Sequence, residues 1–152
     1  FVVQIAKAYG ATVTAVCSGR NIEFVKSLGA DHVIAYDKED IHQHNKKYDL
    51  VIDVNGNLSH SDFKRMGHRG VMVGFTNMGH MFTVLMQRAF SRFPIAQFTA
   101  QANTRDLEVL ASMVRDGKIK VHIDKTYTYQ EIPEAIKYIE AMRTRGKVAM
   151  IW

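Results

Sequence analysis

Apolar positions along the chain switch repeatedly between a helical and an extended period. In "FVVQIAKAYGA" Val2, Ile5, Ala6 and Tyr9 recur at helical spacing and Gly10 supplies a stop, so the chain opens in a helix. The β-branched run "TVTAVCS" reads as a buried strand. "NIEFVKSLGA" follows as a helix with Ile22, Val25 and Leu28 along one side and Gly29 at its end, and "DHVIAY" is a second strand. "YDLVIDVNG" and "RGVMVGFTN" are two more short apolar runs of the buried parallel kind, and "LSHSDFKRMG" between them reads as a helix.

After Asn77 the pattern predicts a long apolar helix around Phe82, Leu85, Met86 and Ala89, then a short strand near residues 95–99. An amphipathic helix follows, with Leu107, Leu110, Ala111 and Val114 at i, i+3, i+4 and i+7. The tail differs in character: a polar-alternating strand, a helix with Ile132, Ala135, Ile136 and Ile139 on one face, and a last strand from Lys147. Strands that alternate in this way have one wet face or pair outside the main sheet. Strands and helices in alternation imply an α/β fold, a doubly wound parallel sheet joined by right-handed crossovers.

Composition narrows the class. At 152 residues, 47% hydrophobic and 23% charged, the chain has the make-up of a globular domain and the length to bury a core. Gln87, Arg88 and Arg92 interrupt the greasiest region, so no apolar run is long enough to span a bilayer. The single cysteine, Cys17, excludes an internal disulfide and favours a reducing, cytoplasmic setting, with the thiol read as a packing group. The formal charge of +5 suits an anionic ligand, but Lys and Arg are spread along the chain and form no nucleic-acid patch.

Five stretches, "VQIAKAYGATVTAV", "LGADHVIAYDKED", "YDLVIDVNGN", "GVMVGF" and "GKIKVHIDKTYTYQEIPEAIKYIEAMRTRGKVAM", occur in an order and at a spacing that resemble the medium-chain dehydrogenase/reductase superfamily, most of all its NADPH:quinone oxidoreductase branch. The resemblance implies a partial Rossmann-type dinucleotide-binding domain over 1–122 and a segment, 123–152, returning to a catalytic domain outside this chain. It places the glycine-rich pyrophosphate loop and the central first strand before Phe1, so the chain is expected to be an incomplete part of an enzyme, inactive alone. The implied reaction is NADPH-dependent hydride transfer to a quinone or other α,β-unsaturated carbonyl, in a homodimer or larger homo-oligomer. A zinc-dependent alcohol dehydrogenase is the alternative within enzymes, and a non-catalytic cofactor-sensing or RNA-binding Rossmann module the alternative outside them.

In such a domain the strand ending at Cys17 is where an acid meets the NAD ribose diol; here stand Ser18, Gly19 and Arg20. A hydroxyl donor and a guanidinium suit the 2′-phosphate of NADP, which an acid would repel. The resemblance puts Tyr36 beside the same phosphate. Ligands of parallel sheets sit at the carboxyl ends of strands, which adds Asn55 and Gly56 after one strand, Gly74, Phe75 and Thr76 after the next, and, by position alone, residues 99–101. Gly56 and Gly74 read equally well as turn residues. His42 and His44 in "IHQHN" read as a solvated face and not as a metal site, and the adjacent Ser, His and Asp of "SHSDF" make no triad by adjacency.

Overall fold

The structure is a computed structural model that describes residues 1–74, 79, 82–83, 86, 91–97, 101 and 103–152. Leu85, Ala89 and Thr99 of the expected elements therefore lie outside the described residues. The fold is mixed α/β with parallel strands. Contacts divide it into two units interleaved along the chain: Phe1–Ala15, Glu23–Val33 and Asn103–Trp152 in one, Val16–Ile22 and Ile34–Ala102 in the other.

The first unit contains helix α1 (Val2–Ala8), most of α2 (Ile22–Ser27), α4 (Thr104–Arg115), α5 (Ile132–Glu140) and strands β6 (Ile123–Thr128) and β7 (Lys147–Ile151). Strands β6 and β7 pair in parallel from Ile123↔Lys147 to Thr128↔Ile151, with an irregularity between Ile123 and Lys125. They bond to each other and to no other described strand. A capping box, in which Glu131 Oε2 accepts from Thr128 N–H and Oγ1–H, turns the chain from β6 towards α5, and Pro133 sits in the first turn of that helix.

Burial in this unit departs from the sequence pattern. In α1 the buried side chain is Gln4, while Tyr9 is 74% exposed. In α4 the buried residue is Met113, and the stripe of Leu107, Leu110 and Val114 is exposed. In the tail, by contrast, Ile132 and Ile136 of α5 and Ile151 of β7 are exposed as expected of a segment that packs outside this chain, and Ile139 is exposed with them. Periodicity specified the helices correctly, but a stripe is buried only where another element covers it; of the α5 face only Ala135 is buried.

The second unit contains β3 (Val51–Asp53), α3 (His60–Met66), β4 (Gly70–Met72) and β5 (Ile95–Gln97). The strands form a parallel sheet in the order β3-β4-β5, with Val51 opposite Gly70 and Gly70 opposite Ile95. Phe63 of α3 packs on Met72 and Ile95, bordered by Val51, Leu58 and Phe93. A Ser59/Asp62 capping box starts α3.

Strands β1 (Thr14–Cys17) and β2 (His32–Ala35) give residues to both units. They run in the same direction, with His32 N–H donating to Val13 O and Tyr36 N–H to Cys17 O, each at 3.1 Å. No described strand bonds to both the β1–β2 pair and the β3–β5 sheet, in keeping with a sheet expected to be incomplete. No helix among the described residues is long and apolar enough to cross a membrane.

Candidate functional site

The chain leaves β1 at Cys17, stays extended through Ser18 (φ −71°, ψ 151°) and tightens into a 3-10 turn at Gly19–Asn21 that runs into α2. Asn21 N–H closes the turn on Ser18 O at 2.8 Å. The end of β2 lies alongside. Tyr36 N–H donates to Cys17 O, and Gly19 N–H donates to Asp37 Oδ1 at 2.7 Å. Ser18, Gly19 and Arg20 from one loop thereby meet Tyr36, Asp37 and Lys38 from the other. Arg20 is exposed, as is Tyr36 at 61%.

Several groups here have unused bonding capacity. Ser18 caps nothing with its hydroxyl. Asn21 Oδ1 is buried without a hydrogen-bond partner. Lys38 was not picked out by sequence reasoning, yet its aliphatic arm lies over Gly19: a Cβ on Gly19 would sit 2.7 Å from Lys38 Cε and 3.3 Å from its Nζ. Burial, and then the charge of Asp37, push the Cys17 thiol above its ordinary 9.0, which keeps it protonated. Ser18 and Arg20 from one loop and Tyr36 from the other thus stand at the carboxyl ends of two neighbouring parallel strands.

A second group forms at the ends of β3 and β4. The buried Asp53 carboxylate accepts N–H bonds from Asn55 (3.1 Å), Gly56 (2.9 Å) and Leu58 (2.8 Å) and so shapes the loop after β3. Sequence reasoning passed over Asp53, although Asp two residues before Asn-Gly is a signal for a side-chain-built turn. Gly56 takes φ +71°, which a side chain disfavours. Gly74 backs onto the loop, and a Cβ there would stand 2.9 Å from Val54 O. Both glycines thus have a backbone reason to be glycine. Asn55 is exposed at the strand end, and Phe75 and Thr76 lie outside the described residues.

The histidines point elsewhere. His42 Nδ1 lies 2.9 Å from Asp62 Oδ1, and His44 Nε2 lies 3.3 Å from Glu39 Oε2, so the two rings pair with different carboxylates. Among the described residues no three His, Cys, Asp or Glu side chains converge as metal ligands. In "SHSDF", Ser59 and Asp62 cap α3, while the ring of His60 meets Phe93 edge-on with centroids 6.0 Å apart.

With this geometry in hand, the chain can be set beside known proteins. A family model described as zinc-binding dehydrogenase matches residues 28–150. The chloroplast envelope quinone oxidoreductase homolog of Arabidopsis thaliana is 31% identical over 97% of this chain and 47% of its own length. The chloroplastic NADPH-dependent alkenal/one oxidoreductase of the same plant is 31% identical over 98% of this chain and 36% of its own. Among solved structures, a quinone oxidoreductase from Coxiella burnetii superposes with a TM-score of 0.80 at 28% identity, covering 97% of this chain and 47% of the other. The chain spans about half the length, or less, of these relatives. Both plant relatives carry the chloroplast in their names, so they lend nothing to a cytoplasmic location. A family match over most of the residues, joined to a parallel α/β fold shared with a quinone oxidoreductase, establishes that the chain belongs to the zinc-binding dehydrogenase family of the medium-chain dehydrogenase/reductase superfamily.

Proposed function

We propose that this chain is the cofactor-binding part of an NADPH-dependent oxidoreductase that reduces a quinone or another α,β-unsaturated carbonyl. The observation that carries the cofactor reading is the bond from Tyr36 N–H to Cys17 O, which sets the Ser18–Arg20 turn beside Tyr36 at the carboxyl ends of two parallel strands. The one carboxylate of that corner known to be engaged, Asp37, accepts from Gly19 N–H through Oδ1. Ser18 and Arg20 would hold a 2′-phosphate as hydrogen-bond donors, with Tyr36 beside it.

Bound NADPH supplies a hydride which, with one proton, reduces the substrate by two electrons and leaves NADP⁺. The chain's own residues bind and orient. Asn55, Gly56 and Gly74, at the carboxyl ends of the next two strands, would contact the cofactor towards its reacting end. The substrate reading leans on kinship with proteins named as quinone and alkenal/one oxidoreductases. Residues 1–122 form the dinucleotide-binding part. Residues 123–152 return to a catalytic part, for which the exposed apolar face of α5 is suited.

The test is cofactor oxidation by the intact protein, followed at the nicotinamide absorbance. NADPH with a simple quinone or an α,β-unsaturated aldehyde is expected to turn over, and NADPH is expected to bind more tightly than NADH. Turnover confined to a saturated alcohol with NAD⁺, lost on chelation of zinc, would overturn the proposal in favour of an alcohol dehydrogenase.

A further inference from the structure

The three residues after Tyr36 are Asp37, Lys38 and Glu39, and two of them are occupied. Asp37 Oδ1 accepts from Gly19 N–H at 2.7 Å. Glu39 Oε1 accepts from Ala35 N–H at 3.1 Å, and its Oε2 lies 3.3 Å from His44 Nε2. Lys38, between them, is different. Its ammonium has no ion pair or hydrogen bond among the described residues, though acids stand on either side. The side chain is exposed, and its arm lies over the turn that carries Ser18 and Arg20. Its Cε and Nζ fill the space that a side chain at residue 19 would need.

Gly19 has no backbone reason of its own to be glycine, since it is not among the residues with positive φ. A Cβ there would meet the far end of the Lys38 side chain and, at 3.3 Å, Asp37 Oδ1. The corner therefore combines a backbone bond that fixes Asp37, an arm from Lys38 seated on Gly19, a Ser18 hydroxyl that caps nothing, and Arg20 one residue on.

We infer that Lys38 is a second cationic arm for the phosphate monoester on the cofactor ribose, and that Gly19 is glycine in order to seat it. The inference rests on the NADPH reading above and extends it to a residue that sets cofactor specificity. A dianionic phosphate next to Asp37 needs more than one positive group to offset the acid, and Lys38 brings its charge from the opposite loop to Arg20. As a compact, rotatable ammonium it tracks the phosphate without the fixed geometry of a guanidinium.

The experiment measures dissociation constants for NADPH and NADH by fluorescence titration of the intact protein at one fixed salt concentration, for the parent, Lys38→Met, Lys38→Arg, Gly19→Ala and the Lys38→Met/Gly19→Ala double variant. Lys38→Met is expected to weaken NADPH about two- to fivefold, the upper part of the range for one exposed charge contact, and to leave NADH unchanged within error. Lys38→Arg should keep most of the preference. Gly19→Ala displaces the arm and should move the NADPH/NADH ratio the same way, whereas in the Lys38→Met background it should add nothing, because the arm it displaces is gone. Raising salt should narrow the NADPH advantage more in the parent than in Lys38→Met.

A merely structural lysine would shift the melting temperature and leave the ratio alone. If the parent prefers NADPH and Lys38→Met keeps that ratio, the role of Lys38 is overturned while the NADPH reading stands. If Gly19→Ala costs the same with and without Lys38, the seating of the arm is overturned. If the parent shows no preference for NADPH, the cofactor reading falls, and the inference with it.

Discussion

Gln4 and Lys120, 116 positions apart, exchange two hydrogen bonds: Gln4 Nε2 donates to Lys120 O at 3.1 Å, and Lys120 N–H donates to Gln4 Oε1 at 2.7 Å. The side-chain amide behaves as a peptide group would in a ladder, and satisfies a loop backbone that no described strand reaches. Gln4 is 8% exposed, so the bonds are sheltered from water. Gln4→Ala should destabilise the protein by about 2–3 kcal/mol, mostly from the two backbone groups left unpaired. Gln4→Leu, which fills the space, should recover little. Gln4→Glu should sit between them at neutral pH and improve relative to the parent as the medium is acidified, since only the protonated acid can donate to Lys120 O. Urea unfolding of the three variants across pH reads this directly; a Gln4→Leu variant as stable as the parent would remove the bonds from the account.

Phe63 is completely buried, and a Cβ built on Gly70 would lie 2.5 Å from its ring. The ring of α3 therefore presses on the backbone of β4 itself. Phe63→Ala should cost about 3–5 kcal/mol, the usual range for emptying an aromatic core site. Gly70→Ala should cost about 1–3 kcal/mol by overpacking. The two errors have opposite sign in volume, so Phe63→Leu combined with Gly70→Ala should be more stable than the sum of the single changes predicts. Strict additivity in the denaturation midpoints would show that the ring and the strand do not share this contact.

What could be read from the residues follows from how local the information is. Helix α3 and the alternation of strands and helices were legible from the period of short windows, whereas the Ser59/Asp62 capping box, though written within four positions, was passed over. The burial of Met113 in place of Leu107 and Leu110 was not, because a helical stripe records a period and does not record what covers it. Ser18, Arg20 and Tyr36 were found as strand-end residues. Lys38 was missed because its place over Gly19 depends on how β1 and β2 register, a relation between positions far apart in sequence. Gly74 was readable as special, but whether its freedom serves a ligand or the neighbouring Val54 carbonyl is decided only in three dimensions.

Asp62 ties α3 to the loop before β3. Burial pushes its carboxyl upward, but the donated bonds from Ser59 Oγ–H and N–H and the neighbouring His42 outweigh this and hold it below its ordinary 3.8. A depressed acid contributes stability that is fully present above its unfolded value and is lost as pH falls through the folded one. Asp62→Asn should therefore be less stable than the parent at neutral pH, by about 1 kcal/mol for a weakened cap, and the gap should close as the pH drops below about 4. Thermal melts from pH 7 to pH 3 test the sign. A gap that widens in acid would mean that Asp62 is not the charged partner in this network.

The cofactor reading makes its sharpest demand on Arg20. Changing Arg20→Asp removes a charge-assisted donor and sets a carboxylate where a 2′-phosphate would lie, so NADPH should lose affinity while NADH holds steady, or gains if the new acid reaches the ribose diol. A hydrogen bond to a charged group is worth about 1.5–3 kcal/mol. Because Arg20 is exposed, solvent screening moves the expectation to the low end, about a tenfold loss. Tyr36→Ala should push the same way by a smaller factor, since a ring contact and one neutral bond are weaker than a paired charge. Arg20 also interacts within the protein, so a melting curve must accompany each titration to separate a loosened turn from a lost ligand contact. The decisive quantity is the ratio of the NADPH and NADH dissociation constants before and after each change. An unmoved ratio in a variant that melts like the parent would return Arg20 to the ordinary surface charges of the chain.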